Sequence, residues 1–171
     1  DYLGLSAAFL AGLGFWAGLP WALKMPLGHL VDLFWRHKTY FVYLGALVVT
    51  SSLVIMFGLI AHTETMRTVM SVEAWYVISV ILAPVGYVLQ DVVADAMTVE
   101  AVPTNDESGR PLPASDIKEM HTTMQALGRF AVIGGSLLVA LLNVVLFNDV
   151  ESLTDDAKRS VYASIYLYAL A

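Results

Sequence analysis

The chain has 171 residues, of which 58% are hydrophobic and 14% are charged, and its formal net charge is −6. Soluble domains contain about 45–50% apolar and about 25% charged residues, so this chain has too little charge to form a fully hydrated surface. The acidic balance excludes a nucleic-acid partner, because phosphate binding requires a basic face. The absence of cysteine excludes disulfides and thiolate metal sites.

Long apolar stretches predict membrane helices, since a helical span needs about 20 mostly apolar residues. The turn signals that would divide these stretches into strands are too few. The predicted spans cover residues 5–27, 40–61, 74–99, 122–147 and, as a truncated span, 161–171. We therefore predict an all-α, polytopic transmembrane helix bundle, which is an integral, multi-pass membrane protein. Because the chain begins with Asp and stops within an apolar run, we interpret it as a fragment of a longer polypeptide.

The links between the predicted spans differ in charge, and this difference predicts their sides of the membrane. Residues 28–39 form a short basic link, and residues 102–119 form a loop rich in proline and acidic residues. Six Lys and Arg residues lie in or beside these two links, against three in the links at 62–73 and 148–160. The positive-inside rule therefore predicts that the links 28–39 and 102–119 are cytoplasmic.

The link after the first predicted span carries a glycine, an aspartate and basic residues in sequence. Gly28 is followed four residues later by Asp32, and Arg36 and Lys38 supply positive charge. A glycine lets two helices approach closely, and a carboxylate is favoured at a helix N-terminus. The arrangement resembles the conformational signature loop of the major facilitator superfamily. It departs from that signature in lacking the second glycine before the basic run, where Trp35 stands nearby.

Two further segments resemble the folate–biopterin transporter family, a branch of that superfamily. Residues 19–24 read Leu-Pro-Trp-Ala-Leu-Lys and resemble the family's Leu-Pro-Trp-x-x-Lys element. Residues 90–100 begin Gln-Asp-Val-Val-Ala-Asp and resemble the aspartate-rich end of its fourth helix. The muropeptide and acetyl-coenzyme A transporters, a neighbouring branch, have a similar element. The resemblance implies a partial major facilitator fold that comprises helices two to five and the start of helix six. The first helix and the remaining half of the same polypeptide would complete it.

Asp91 and Asp95 are the strongest candidates for a functional site. They are four residues apart, so on a helix they share a face. Carboxylates in membrane spans are costly and usually functional. Two of them on one face favour the binding of a proton, which suits a coupling site. The alternative role is a gate, in which an aspartate pairs with Arg129 or Lys24 and holds one conformation of a transporter.

Three other side chains are candidates for contact with a substrate or for ion pairing. Lys24 and Arg129 suit an anionic solute, such as one carrying a pterin carboxylate, but also suit membrane anchoring or ion pairing. Asn143 falls near the side of the 122–147 span that carries Gly128 and Gly135. A metal site is not expected, because the four histidines are scattered without paired spacing. They are His29, His37, His62 and His121.

We interpret the chain as part of a secondary active transporter of a small organic solute. The resemblance implies a folate-like, pterin-like or related anionic metabolite, moved by alternating access with protons as the coupling ion. No cofactor is implied. The spans contain no His-rich, Ser/His or metal-spaced set, so we do not expect an enzyme. The alternative is a membrane assembly or pigment-delivery factor of the same fold that transports no solute.

Overall fold

The computed structural model describes residues 5–148 and 150–170, and its regular elements in these ranges are helices. The all-α class that the sequence predicted is confirmed. Short 3₁₀ turns occupy Trp35–His37 and Val150–Ser152. The α-helices are α1 (Ala7–Ala22), α2 (Lys24–Leu33), α3 (Lys38–Ala61), α4 (Thr63–Val69), α5 (Val72–Glu100), α6 (Ala114–Phe147) and α7 (Asp155–Tyr168).

Three of the described helices, α3, α5 and α6, are long and apolar enough to cross a membrane. Their bounds contain the predicted spans 40–61, 74–99 and 122–147. Large apolar side chains on α6 are open to the surroundings, for example Phe130 at 73% and Val145 at 75% exposure. Such a surface is too large for a soluble monomer and suits contact with a bilayer.

The prediction of one continuous helix over residues 5–27 is corrected by the structure, because the chain forms two helices there. Helix α1 ends at Ala22, Leu23 joins it to α2, and the Leu23 N–H bonds the Pro20 carbonyl at 3.1 Å. Pro26 explains the break, since it has no N–H and its ring would clash with the Ala22 carbonyl of a continuous helix. The break places Lys24 at the first position of a new helix.

The predicted links are more helical than the sequence indicated. Helix α2 and the 3₁₀ turn fill most of the link 28–39, and α4 lies inside the link 62–73. The predicted loop 102–119 ends early, because α6 begins at Ala114 after Pro113. Helix α7 begins at Asp155, before the predicted start at 161, and Ala171 of that predicted span lies outside the described residues.

The chain divides into two compact units. The first contains the residues up to Val93 and those from Ser152 onward, and the second contains Ala94–Glu151. In the first unit, Leu5, Met56, Leu59 and Val72 form a buried cluster. In the second, the loop before α6 turns back on itself at Gly109, which has a φ of 78° that favours glycine.

Helices α3 and α5 are antiparallel and meet through residues that repeat every seven positions. Gly45 faces Gly86, and Ser52 bonds Ser79. One further repeat along, Leu59 and Val72 belong to the same buried cluster. A seven-residue repeat keeps one stripe of a helix facing its partner, and small residues on that stripe allow the backbones to come close.

Candidate functional site

An ion pair joins α2 to α5. The Lys24 ammonium lies 2.5 Å from Oδ2 of Asp91, and the two side chains are 38% and 27% exposed. Of the two basic partners that the sequence offered for Asp91, the structure therefore brings Lys24 to it. A charge-assisted hydrogen bond of this kind is stronger than one between neutral groups. Both side chains are partly open to the surroundings, so other groups can approach the pair.

Valine packing holds α2 beside α5 next to this ion pair. Val31 of α2 forms a buried cluster with Val88, Val92 and Val93 of α5. Gly28 lies on the same helix, and a Cβ built on it would be 3.9 Å from Cγ1 of Val92. The valine cluster fixes the end of α2 that follows the ion pair, so the backbone brings Lys24 within reach of Asp91.

An aromatic pair joins the end of α1 to α5, close in sequence to the two charges. The rings of Trp21 and Tyr87 have centroids 5.5 Å apart at an interplanar angle of 54°. Tyr87 precedes Asp91 by four residues on α5, so its ring lies near the face of that carboxylate, and Trp21 lies in the last turn of α1, three residues before Lys24 along the chain. Both are partly exposed, at 47% and 44%. The site thus combines open aromatic surface with an ammonium and a carboxylate.

Gln90 connects the same part of α5 to α3. Its side-chain Nε2 donates to the Val42 carbonyl at 3.3 Å. Gly45 makes room for it, since a Cβ on Gly45 would stand 2.7 Å from Cγ of Gln90. The consecutive residues Gln90 and Asp91 therefore contact two different helices. A movement of α3 changes the surroundings of Gln90, and a movement of α2 changes those of Asp91.

Asp95 lies one turn beyond Asp91 on α5. Asp95 is exposed, and its backbone carbonyl accepts a hydrogen bond of 2.6 Å from the Thr98 hydroxyl. Asp95 belongs to the second compact unit, whereas Asp91 belongs to the first. The role of either aspartate in coupling or gating stays a prediction.

The signature-loop candidates follow each other along α2, the 3₁₀ turn and the start of α3. Gly28 faces the valine cluster, and Asp32 is exposed in the last turn of α2. Arg36 is exposed in the 3₁₀ turn, and Lys38 is the first residue of α3. Their function as a conformational signature stays a prediction.

The remaining candidates, Arg129 and Asn143, lie at exposed positions on α6 in the second unit. Their contact with a substrate also stays a prediction. Among the described residues, no group of three or more His, Asp or Glu side chains is arranged to hold a metal ion.

Sequence reasoning missed the glycines and serines that set the approach of α3 to α5. Gly45 and Ser52 are seven residues apart on one helix, and Ser79 and Gly86 are seven apart on the other. This spacing was a usable signal, because residues seven apart lie on the same helical stripe. The residues that they oppose on the partner helix required the structure.

The chemistry open to this site is exchange at the ion pair. Protonation of Asp91 would remove the negative charge that holds Lys24. An anionic group of a solute would compete with Asp91 for the same ammonium. Comparison with known proteins gave no relatives, because no family model, no curated protein and no solved structure matches the chain.

Proposed function

We propose that this chain is part of a secondary active membrane transporter of a small organic solute. The observation that carries the proposal is the Lys24–Asp91 ion pair, which is about one-third exposed and joins α2 to α5, a helix long and apolar enough to cross a membrane. Ionisable residues among membrane helices are expensive and mark ion or substrate pathways. An ion pair between two helices also has two states, closed and open, which a transport cycle needs.

In the proposed mechanism the solute and a proton open the ion pair together. A proton neutralises Asp91, and the anionic group of the solute replaces it as the partner of Lys24. Neither charge is then left without a partner in an apolar surrounding, which would be costly. Release of both ligands on the other side of the membrane lets the pair form again. This exchange would couple solute flux to a proton gradient by alternating access.

The aromatic pair supports a planar solute. Trp21 and Tyr87 offer partly exposed rings beside the charges, and aromatic faces bind flat ring systems by offset or edge contacts. A folate-like or pterin-like anion combines a planar ring with a carboxylate, in agreement with the family that residues 19–24 and 90–100 resemble. The proposal includes a major facilitator architecture, in which the remaining half of the polypeptide supplies the opposite wall of the site.

Asp95 has the role of a second carboxylate in this proposal. It stands one turn from Asp91, where it either shares the proton or acts as a gate in one conformation. Gly28, Asp32, Arg36 and Lys38 form the cytoplasmic signature loop, which limits the positions that α2 and α3 adopt. Arg129 and Asn143 are proposed as further contacts for the solute or as ion-pair partners.

The test is uptake by the full-length protein in proteoliposomes, with and without an inward proton gradient. The panel consists of pterins, folates, muropeptides and acyl-coenzyme A. We expect gradient-driven accumulation of one class. Asp91→Asn should abolish accumulation but retain exchange of labelled for unlabelled solute, because a permanently neutral side chain removes proton coupling and not solute binding. Lys24→Gln should weaken both.

Glu73→Gln is the matched control, since it removes a carboxylate at the other end of the same helix. It should leave accumulation unchanged. Equal accumulation by the Asp91→Asn protein would refute coupling at this position. No flux of any solute, from protein that is shown to be folded, would instead favour the assembly or pigment-delivery factor.

A further inference from the structure

A second site lies in the first unit, where α3 ends and α7 begins. A cavity of about 400 Å³ opens there between the two helices, away from the residues of the Lys24–Asp91 site. Ligand pockets commonly have volumes of about 300–1,000 Å³, so this cavity is large enough for a polar headgroup. Its ionisable residues and its large apolar residues lie at different heights along the helix axes.

The ionisable residues gather at one end of the cavity. They are His62, just after the end of α3, and Asp156 and Arg159 in the first turns of α7, followed by Ser160. Ser164, the other polar lining residue, lies one turn further along α7 and bonds the Val161 carbonyl of its own helix. Phe57, one and a half turns back along α3, and Leu167, near the end of α7, form the apolar part. From Asp156 to Leu167 the helix rises by about 16 Å, so polarity changes over the depth of a lipid headgroup and its first methylene groups.

The position of this gradient agrees with the end of a membrane span. Helix α3 is long and apolar enough to cross a bilayer, and the polar end of the cavity begins where that helix stops. The cavity is therefore expected at the level where lipid phosphates meet the hydrocarbon core. An arginine at that level suits a lipid phosphate, because the guanidinium fork matches the geometry of phosphate oxygens.

The charges at the polar end have opposite signs. Asp156 and Arg159 are three residues apart and share a face of α7. The guanidinium has five N–H donors in a fixed fork, so it binds a phosphate even when another group also accepts from it. Asp156 accepts hydrogen bonds and, when ionised, donates none. The two together complement a ligand that carries both a phosphate and an ammonium with N–H donors.

We propose that this cavity binds an ethanolamine phospholipid, with its phosphate on Arg159, its ammonium on Asp156 and one acyl chain along Phe57 and Leu167. The proposal rests on the membrane insertion proposed above and not on transport. Choline lipids have no N–H donor for Asp156, and glycerol lipids have no ammonium. Both should therefore bind less well than the ethanolamine lipid.

Native mass spectrometry of the full-length protein tests this, with phosphatidylethanolamine, its mono- and dimethylated forms, phosphatidylcholine and phosphatidylglycerol of identical acyl chains. The unmodified protein should prefer the ethanolamine lipid over the choline lipid by about tenfold, as expected for one charge-assisted hydrogen bond. Affinity should fall with each added methyl group. This series requires no variant and so does not depend on the folding of one.

Variants then assign the two contacts. Asp156→Asn should remove the preference for ethanolamine over choline, and Arg159→Gln should weaken binding of all three headgroups. Lys158→Gln, which removes a neighbouring positive charge outside the cavity lining, should change neither quantity. Equal binding of ethanolamine and choline lipids by the unmodified protein would overturn the proposal, as would equal losses in Arg159→Gln and Lys158→Gln. Loss of transport with lipid binding intact would count against the proposed function alone.

Discussion

Helix α5 contacts α3 and α2 through two interfaces that differ in size of residue, polarity and exposure. Against α3 it presents Ser79 and Gly86, both buried, and the two backbones nearly touch. Against α2 it presents Asp91, whose ion pair with Lys24 is partly open to the surroundings, and the valines that form a buried cluster with Val31. One helix thus has a close contact between small residues on one side, and on the other side a contact that combines apolar packing with a partly exposed ion pair.

The two contacts of α5 differ in the motion that they permit. Small residues give close packing between membrane helices, where the hydrophobic effect contributes little. Such a contact cannot slide without a clash of backbones. An ion pair between long side chains tolerates changes of distance and responds to protons and anions. If the proposed transport cycle is correct, we expect α3 and α5 to move as one body, with the change at α2 confined to the Lys24–Asp91 end of its contact with α5.

The largest effect is expected from a methyl group added at Gly86, where α5 lies against Gly45 of α3. A Cβ on Gly86 would lie 2.5 Å from the Gly45 carbonyl oxygen and 2.9 Å from the Val49 nitrogen. Overpacking of this kind costs about 1–3 kcal/mol, and the obstructing atoms here are backbone atoms that cannot rotate away. Alanine regains at most about 1 kcal/mol through helix propensity. Gly86→Ala should therefore lower the melting temperature of the full-length protein in detergent.

Gly14→Ala is the control for this substitution, because no atom lies within 4 Å of a Cβ built there. It should leave the melting temperature unchanged or raise it through helix propensity. If Gly86→Ala were as stable as Gly14→Ala, the close contact of α3 with α5 would be wrong.

The serine pair should give a smaller effect in the same interface. The Ser52 hydroxyl lies 2.8 Å from that of Ser79 and also donates to the Ser79 carbonyl, while the Ser79 hydroxyl reaches the Ser52 carbonyl. Ser79→Ala leaves Ser52 its bond to the carbonyl, so the loss is limited to about 1 kcal/mol, the usual size for hydrogen bonds between membrane helices.

Ser136→Ala is the matched control for the serine pair. That hydroxyl bonds the Val132 carbonyl of its own helix at 2.9 Å and joins no second helix. Unfolding in denaturing detergent should therefore distinguish the two serines. Equal stability of both variants would show that the serine pair does not hold α3 to α5.

The sequence predicted the parts of this comparison that depend on local composition. Uncharged apolar runs located α3 and α5, and the spacing of Asp91 and Asp95 drew attention to the last turns of α5. Lys24 was one of two partners considered for Asp91. The choice between the two could not be made from spacing, because it depends on the direction that α2 takes after the break at Leu23.

The contacts between helices were harder to predict from the sequence. The seven-residue repeat of Gly45 with Ser52 is visible in the sequence, but the facing residues on α5 depend on the relative height of two antiparallel helices. The break at Leu23 was missed for a different reason. The span 5–27 contains a single charged residue, Lys24, and hydropathy does not register the N–H that Pro26 lacks.

A double-mutant cycle measures the free energy that the Lys24–Asp91 ion pair contributes to the contact of α2 with α5. Lys24→Gln, Asp91→Asn and the double variant are compared with the unmodified protein by reversible unfolding in detergent. Because both side chains are about one-third exposed, we expect a coupling free energy of only about 0.5 kcal/mol. A coupling above about 2 kcal/mol would mean a buried, permanent clamp, which is too strong for repeated opening.

The smallest effect concerns Asp106, a carboxylate whose partners lie within its own loop and not on another helix. The backbone N–H of Arg110 is the main cause that holds the pKa of Asp106 below its usual value, and the backbone N–H of Ser108 and the Arg110 side chain add to it. The folded loop thus favours the ionised form. Its contribution is present above the pKa of the unfolded state, about 3.9, and is lost as the pH falls through the lower folded pKa.

Hydrogen exchange over residues 102–113, corrected for intrinsic rates, should therefore show a loss of protection below about pH 4. Asp106→Asn should reproduce that loss at neutral pH, whereas Glu107→Gln should not. Protection that is independent of pH in the unmodified protein would show that the loop is held by its prolines and not by Asp106. By contrast, Asp91 depends on a partner from another helix, and a substitution there should leave exchange in this loop unchanged.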